Sequence, residues 1–83
     1  PIGDWMNVTD WRMIEQNRFK YVWYRDRGDE LFDLQSDPWE LDNLIEHDGH
    51  QSQLIELKQE LNVFLERTGD PLLPDWRTDY RGT

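Results

Sequence analysis

The sequence has no cysteine, so neither a disulfide nor a thiolate metal site is possible, and cysteine usage says nothing about the redox compartment. It has no apolar run approaching the roughly 20 residues of a membrane-spanning helix, and no signal peptide is visible. Its glycines are too sparse for a phosphate-cradling loop, and neither Ser36 nor Ser52 stands in a G-x-S-x-G elbow. The residues by themselves therefore indicate no catalytic site.

Basic residues are also scarce, with 9 Lys and Arg against 18 Asp and Glu, for a net charge of -9. Such a chain is repelled by phosphate backbones and anionic membranes. Its basic residues are scattered along the sequence and form no nucleic-acid footprint. We therefore expect neither a nucleic acid nor a membrane as a partner, with mimicry of a nucleic acid as the alternative left open.

A chain of 83 residues forms at most one domain. Its mean hydropathy of -0.97 is poor for an independent core. Five Trp, three Tyr and three Phe compensate in part, because each aromatic ring buries about 150–250 Å². The sequence starts Pro1-Ile2-Gly3 without a methionine, so we expect an internal start within a longer protein. We expect a single domain over 1–83, with a core over 11–71 and an irregular tail over 72–83.

Alternating apolar residues predict three strands of an antiparallel meander, over residues 11–15, 19–25 and 30–34. The second is the strongest prediction, with Phe19, Tyr21 and Trp23 on one face and further apolar area on the other. Such a strand is expected at the centre of a sheet covered on both sides. Asn17 is the residue best able to adopt a positive φ in the first turn.

Helix signals dominate the second half. Asp37 suits an N-cap with Pro38 at the first helical position and Glu40 at N3, which predicts a capped turn carrying Leu41 and Leu44 under the sheet. Asp48 and Gln51 offer a second capping box ahead of a helix over about 51–67. Leucines at helical spacing support that helix, and Gly69 suits its C-terminus. The sequence thus predicts an α+β fold, a small antiparallel sheet of three to four strands with a C-terminal helix packed across it.

Possible ligand sites have simpler explanations. His47 and His50 are three residues apart, but zinc sites need three or four well-placed ligands, so surface histidines near a cap are favoured. Trp5, Trp11 and Trp39 lie outside the best strand pattern, and stacking on a sugar ring is as plausible for them as a structural role. Trp5 could also dock the N-terminal segment. We assign no metal-binding, cofactor-binding or catalytic residue.

Five short runs occur in a characteristic order: Arg12-Met13-Ile14, Arg18-Phe19-Lys20-Tyr21-Val22, Glu30-Leu31-Phe32-Asp33-Leu34, Asp37-Pro38-Trp39-Glu40 and Asn43-Leu44. Together they resemble the C-terminal subdomain of the formylglycine-dependent sulfatases, the arylsulfatase-like family. That subdomain typically reads as an "R-x-x-R…gRyKYi" hairpin, then "ELYDLxxDPxExxNL", then a helix ending near "TGDP". Phe32 replaces the usual tyrosine, and Thr68-Gly69-Asp70-Pro71 closes the helix. The resemblance covers residues 11–71.

The resemblance implies a small antiparallel sheet of about four strands, docked against a large α/β catalytic domain of the same chain. It implies that the full-length sulfuric ester hydrolase uses Ca²⁺ and formylglycine. It implies no cofactor in this fragment, because the C/S-x-P-x-R motif is missing here. The fragment alone is expected to be inactive. A periplasmic, secreted or lysosomal-like compartment would fit the family.

In some relatives this subdomain lends residues to the rim of the substrate pocket, and Trp11, Arg12 and His47 are our candidates. Lys20 belongs to the structural "KY" strand and is not the sulfate-binding lysine. The alternative, from another class, is a stand-alone acidic α+β interaction module with an aromatic binding face.

Overall fold

The computed structural model describes residues 10–25 and 27–81. Strands β1 (Trp11–Gln16), β2 (Phe19–Tyr24) and β3 (Glu30–Asp33) form one antiparallel sheet in the order β1-β2-β3. A 3-10 turn (Asp48–His50) leads into helix α1 (Gln51–Thr68), and helix α2 (Leu73–Arg81) follows. The predicted small α+β fold is confirmed. Neither of these two helices is both long and apolar enough to cross a membrane.

The core lies between the sheet and the two helices. Tyr21 and Trp23 project from the central strand and are fully buried, as their alternation predicts. Four leucines from successive turns of α1 cover them: Leu54, Leu57, Leu61 and Leu65. The β1–β2 turn has Asn17 at φ 59°, as its short polar side chain permits.

The other face of the sheet is covered only in part. Val22 and Phe32 are buried there, but Trp11 and Met13 keep 46% and 43% of their surface exposed. The prediction that β2 is the central strand is confirmed. Cover on both sides was predicted for β2, and Val22 of β2 is buried on this face, whereas the same face of β1 is open within the residues described.

The segment after β3 forms a turn, so the predicted capped helical turn is wrong. Asp37 does accept backbone hydrogen bonds, from Leu41 N at 3.0 Å and from Asp42 N at 2.9 Å. However, Glu40 lies at φ 57°, outside the right-handed helical region, and its carboxylate binds Lys20 Nζ at 3.1 Å. Leu44 is buried as expected, whereas Leu41 remains 83% exposed.

The start of α1 also differs from the predicted capping box. Asp48 lies within the 3-10 turn, whose N-cap is His47, and His50 precedes α1 without a capping side-chain bond. The extra turn displaces Asp48 from the position where its carboxylate could cap α1. The C-terminus agrees with prediction, because Gly69 adopts φ 63° and its amide donates to Glu66 O at 3.3 Å.

The tail over 72–83 was expected to be irregular, and this expectation is wrong over Leu73–Arg81. Pro74 falls in the first turn of α2, where its missing N–H removes no helical hydrogen bond. Asp70 supports that turn, because its Oδ1 accepts from Leu72 N at 2.8 Å and its carbonyl oxygen from Leu73 N at 3.0 Å. Leu72 and Trp76 of this segment are both buried in the core. Trp5 lies outside the described residues.

Candidate functional site

Trp11 and Arg12, two of the three pocket-rim candidates, lie next to each other but on opposite faces of β1. Trp11 pairs with Tyr24 on the open face of the sheet. Arg12 points towards the helices, where Nε and Nη2 donate to Asp70 at 2.7 and 3.0 Å. Its Nη1 donates to the Trp11 carbonyl oxygen at 2.7 Å. The Arg12 guanidinium is therefore used within the chain, as a clamp between β1 and the connection joining α1 to α2.

The clamp has an electrostatic signature on Asp70. Burial alone would raise the pKa of this carboxyl, but the hydrogen bonds from Arg12 and from the Leu72 amide, with the Arg12 charge, hold its pKa below the usual value. Asp70 is thus a carboxylate committed to an ion pair. The arrangement stabilises the fold and leaves little capacity for proton transfer.

His47, the third candidate, lies at the other end of the sheet. Its Nδ1 accepts from Gly49 N at 3.3 Å and lies 3.2 Å from His50 Nδ1. The His50 ring packs against Phe19, with centroids 5.8 Å apart. Arg12 pairs with Trp23 of β2, and Phe19 lies four positions from Trp23 in the same strand. At roughly 3.3 Å per residue, Phe19 and Trp23 are about 13 Å apart. The structure therefore does not bring His47 together with Trp11 and Arg12, and their role at a substrate pocket stays a prediction.

No group of three or more potential metal ligands occurs among residues 10–25 and 27–81. Of the tryptophans considered for sugar stacking, Trp39 is 81% exposed and Trp11 is partly exposed, so both rings are accessible in the described chain. Stacking on a sugar stays open for these two. Tyr21 and Trp23, by contrast, are fully buried and have structural roles.

The sequence did not indicate a polar network at the sheet–helix junction. A cavity of about 270 Å³ is lined here by Tyr21, Trp23, Gly28, Asp29, Lys58, Trp76, Asp79 and Tyr80. Tyr21 Oη donates to Asp29 Oδ2 at 2.6 Å, and Trp23 Nε1 donates to Asp79 Oδ2 at 2.8 Å. These bonds satisfy the polar atoms of two buried rings.

Burial dominates the protonation of this network. It raises the pKa of Asp29, against the opposing effects of the Tyr21 hydrogen bond and the Lys58 charge. Burial and the neighbouring Asp29 carboxylate raise the pKa of Tyr21 far above its ordinary value, so this phenol remains a donor. The network anchors aromatic rings, and sequence reasoning missed it because Asp79 lies in the tail that was expected to be irregular.

Two of the family-like sequence runs also meet in space. Arg18 Nε donates to Asp33 Oδ1 at 3.0 Å, and the same ion pair lowers the pKa of the Asp33 carboxyl. Asn43 closes the outer edge of β3, because its Oδ1 accepts from Leu31 N at 2.9 Å and its Nδ2 donates to Asp29 O at 3.2 Å. Each of these side chains fixes the fold locally.

Comparison with known proteins gives a partial match. No protein-family model matches the chain. The chain is 43% identical, over 56 residues or 65% of its length, to an ulvan-active sulfatase of Formosa agariphila. The match spans 9% of the length of that protein, which is therefore much longer than this chain. The chain thus contains a sulfatase-related region.

Proposed function

We propose that this chain is the C-terminal structural subdomain of a formylglycine-dependent sulfatase, whose full-length form hydrolyses sulfate esters or sulfamates. The observation that carries the proposal is the 43% identity to a sulfatase over 56 residues. The order of the sequence runs between Arg12 and Pro71 supports the same assignment.

The contacts of these runs support a scaffolding role. Arg12 clamps Asp70, Arg18 clamps Asp33, and Asn43 closes the edge of β3. Each joins segments that are distant in the sequence, so a shared fold accounts for these residue types without any contact to substrate.

The chemistry of the proposed enzyme belongs elsewhere in the full-length protein. The chain has no cysteine, and neither of its serines stands in a C/S-x-P-x-R context, so its residues do not fit a formylglycine precursor. The described residues bring together no group of three carboxylate side chains that could hold a Ca²⁺ ion. We assign both groups to a catalytic domain of the same polypeptide, which is the proposed partner of this subdomain.

The matched relative is named as active on ulvan, so ulvan is the first substrate to offer the full-length protein. Trp11 is the rim candidate that this chain could present to such a substrate, because its ring is accessible. Arg12 would first have to leave Asp70, and His47 lies at the far end of the sheet.

A stand-alone acidic interaction module is the second candidate. The observation that favours it is the exposure of Trp39, Leu41 and Trp11, which could form an aromatic contact surface. The reading frame upstream of Pro1 discriminates between the two. Several hundred preceding residues with a C/S-x-P-x-R motif would support the sulfatase, whereas a natural start codon within a few residues would refute it.

A further inference from the structure

The two histidines of the chain meet where the long helix begins. His47 is exposed and caps the 3-10 turn, and His50 directly precedes α1. Their Nδ1 atoms lie 3.2 Å apart, whereas their ring centroids are 4.8 Å apart at an interplanar angle of 68°. The nitrogens are closer together than the ring centres, so the two Nδ1 atoms face each other.

The Nδ1 atom of His47 has a lone pair that a ligand could use. It accepts a hydrogen bond from Gly49 N, so the proton of the neutral ring lies on Nε2. That bond is 3.3 Å long, which is long for an amide donor and leaves it easy to replace. A Cβ atom at position 49 would lie 3.4 Å from His47 Nδ1 and would crowd an ion bound there. The glycine leaves this nitrogen accessible.

The spacing of the two nitrogens matches that of two ligands on one metal ion. Imidazole nitrogens bind Zn²⁺ at about 2.0–2.1 Å, so two of them at this separation subtend an angle of about 100° at the ion. This angle lies between those of square-planar and tetrahedral coordination. Because His47 Nδ1 is an acceptor, His50 Nδ1 carries the proton in the metal-free pair. Metal binding would move that proton to His50 Nε2.

The backbone around the pair is fixed before any ion binds. His50 N donates to His47 O at 3.0 Å, and Gln51 Nε2 donates to the same oxygen at 3.1 Å. Phe19 meets the His50 ring edge-on, with centroids 5.8 Å apart, which restricts rotation of that ring. Contacts that orient a ligand in advance lower the entropic cost of binding an ion.

We propose that His47 and His50 bind one late first-row divalent metal ion, such as Cu²⁺ or Zn²⁺, through their Nδ1 atoms, with water in the other coordination positions. Neutral imidazole suits these ions, whereas Ca²⁺ and Mg²⁺ prefer oxygen ligands. The described part of the chain brings no third carboxylate or imidazole to the pair, so binding is weaker than at a four-ligand structural zinc site. The proposal is independent of the proposed function and of the Ca²⁺ ion assigned to the catalytic domain.

A bound ion would stabilise the start of α1. His50 precedes this helix without a capping side-chain hydrogen bond, and the ion would link it to His47. Because the two rings meet only in the folded turn, metal binding adds to the free energy of unfolding. We therefore expect the midpoint of urea denaturation to rise as the Zn²⁺ concentration is raised.

Titration of the 83-residue chain with single metal ions tests the proposal. The chain has two histidines and no cysteine, so these rings are its only imidazole or thiolate ligands. We expect the imidazole proton signals of both histidines to shift with one Zn²⁺ per chain, and Cu²⁺ to bind more tightly than Zn²⁺. The same concentration of Ca²⁺ should leave these signals unchanged. Imidazole signals that ignore Zn²⁺, or that respond equally to Ca²⁺, would overturn the proposal.

Three variants separate chelation from general attraction to an acidic chain. His47→Ala and His50→Ala should each weaken Zn²⁺ binding at least about tenfold, because two linked attachments become one. Asp48→Asn is the matched control, since it removes a negative charge between the histidines and keeps both rings. We expect it to weaken binding by less than about threefold. Equal losses in all three variants, or a loss in only one of the two histidine variants, would refute chelation by the pair.

Discussion

Replacing Trp76 by alanine tests whether α2 is part of the folded core. The Trp76 side chain is 1% exposed. Its ring meets Trp23 edge-on, with centroids 5.7 Å apart, and stacks on Tyr80 at 5.1 Å. Its Nε1 donates to Asn62 Oδ1 at 3.0 Å, which also ties α2 to α1. One substitution therefore removes contacts to the sheet and to the long helix together.

The expected loss is large relative to the stability of a chain this small. Truncation of a buried tryptophan to alanine typically costs about 3–5 kcal/mol. Small domains have roughly 0.05–0.15 kcal/mol of stability per residue, or about 4–12 kcal/mol for this chain. Trp76→Ala should therefore remove about a quarter or more of the free energy of unfolding, and a chain at the lower end of that range would unfold.

Urea denaturation followed by far-UV circular dichroism measures this loss without relying on tryptophan fluorescence. Trp39→Ala is the matched control, because Trp39 is 81% exposed and its removal should change the free energy of unfolding by no more than about 0.5 kcal/mol. Similar losses for the two variants would refute the packing of α2 against the sheet.

The remaining predictions concern single interactions, each checked by urea denaturation. Because the pKa of Asp29 is raised in the folded chain, the free energy of unfolding should fall as pH rises from the ordinary aspartate pKa through the raised one. Asp29→Asn should abolish that fall and stabilise the chain at neutral pH. An unchanged pH profile in this variant would contradict the prediction. Arg12→Ala should cost about 1–3 kcal/mol at neutral pH. Because the pKa of Asp70 is lowered, the stabilisation from the Arg12–Asp70 ion pair is lost as pH falls through that lowered value. The free energies of unfolding of wild type and Arg12→Ala should therefore converge in acid. A difference between them that stays constant with pH would contradict the ion pair. Gly69→Ala should cost about 1–2 kcal/mol through the left-handed backbone at φ 63° alone, since no atom lies within 4 Å of the added methyl group; a neutral effect would contradict the assigned conformation.

The parts of the fold that sequence could predict are those encoded by local periodicity. The alternation from Phe19 to Trp23 and the leucine spacing after Gln51 each reflect one buried face, so β2 and α1 were predicted within a residue or two. Gly69 was predictable because a left-handed C-terminal position favours glycine.

The failures come from local signals with more than one structural outcome. The tail over 72–83 was expected to be irregular, but Pro74 lies in the first turn of α2, where a proline is compatible with a helix. Asp48 matched a capping box, yet a 3-10 turn intervened before α1. In both cases the choice depended on how the neighbouring segments pack, which short-range patterns do not encode.

The polar contacts depended on distant residues and could not be predicted. The Arg12–Asp70 clamp joins positions 58 residues apart, and the Trp23–Asp79 bond joins positions 56 residues apart. Arg12 was a candidate for a pocket rim because the resembled family lends residues of this subdomain to that rim, and this role stays a prediction. The structure favours the internal pair.

Sulfate release is the measurement that tests the proposed assignment most directly. The full-length polypeptide and the 83-residue chain, at equal molar concentration, would be offered ulvan and a generic aryl sulfate. We expect sulfate release by the full-length protein on at least one of these substrates and none by the chain alone. Turnover by the chain alone, or a full-length protein inactive on both, would contradict it.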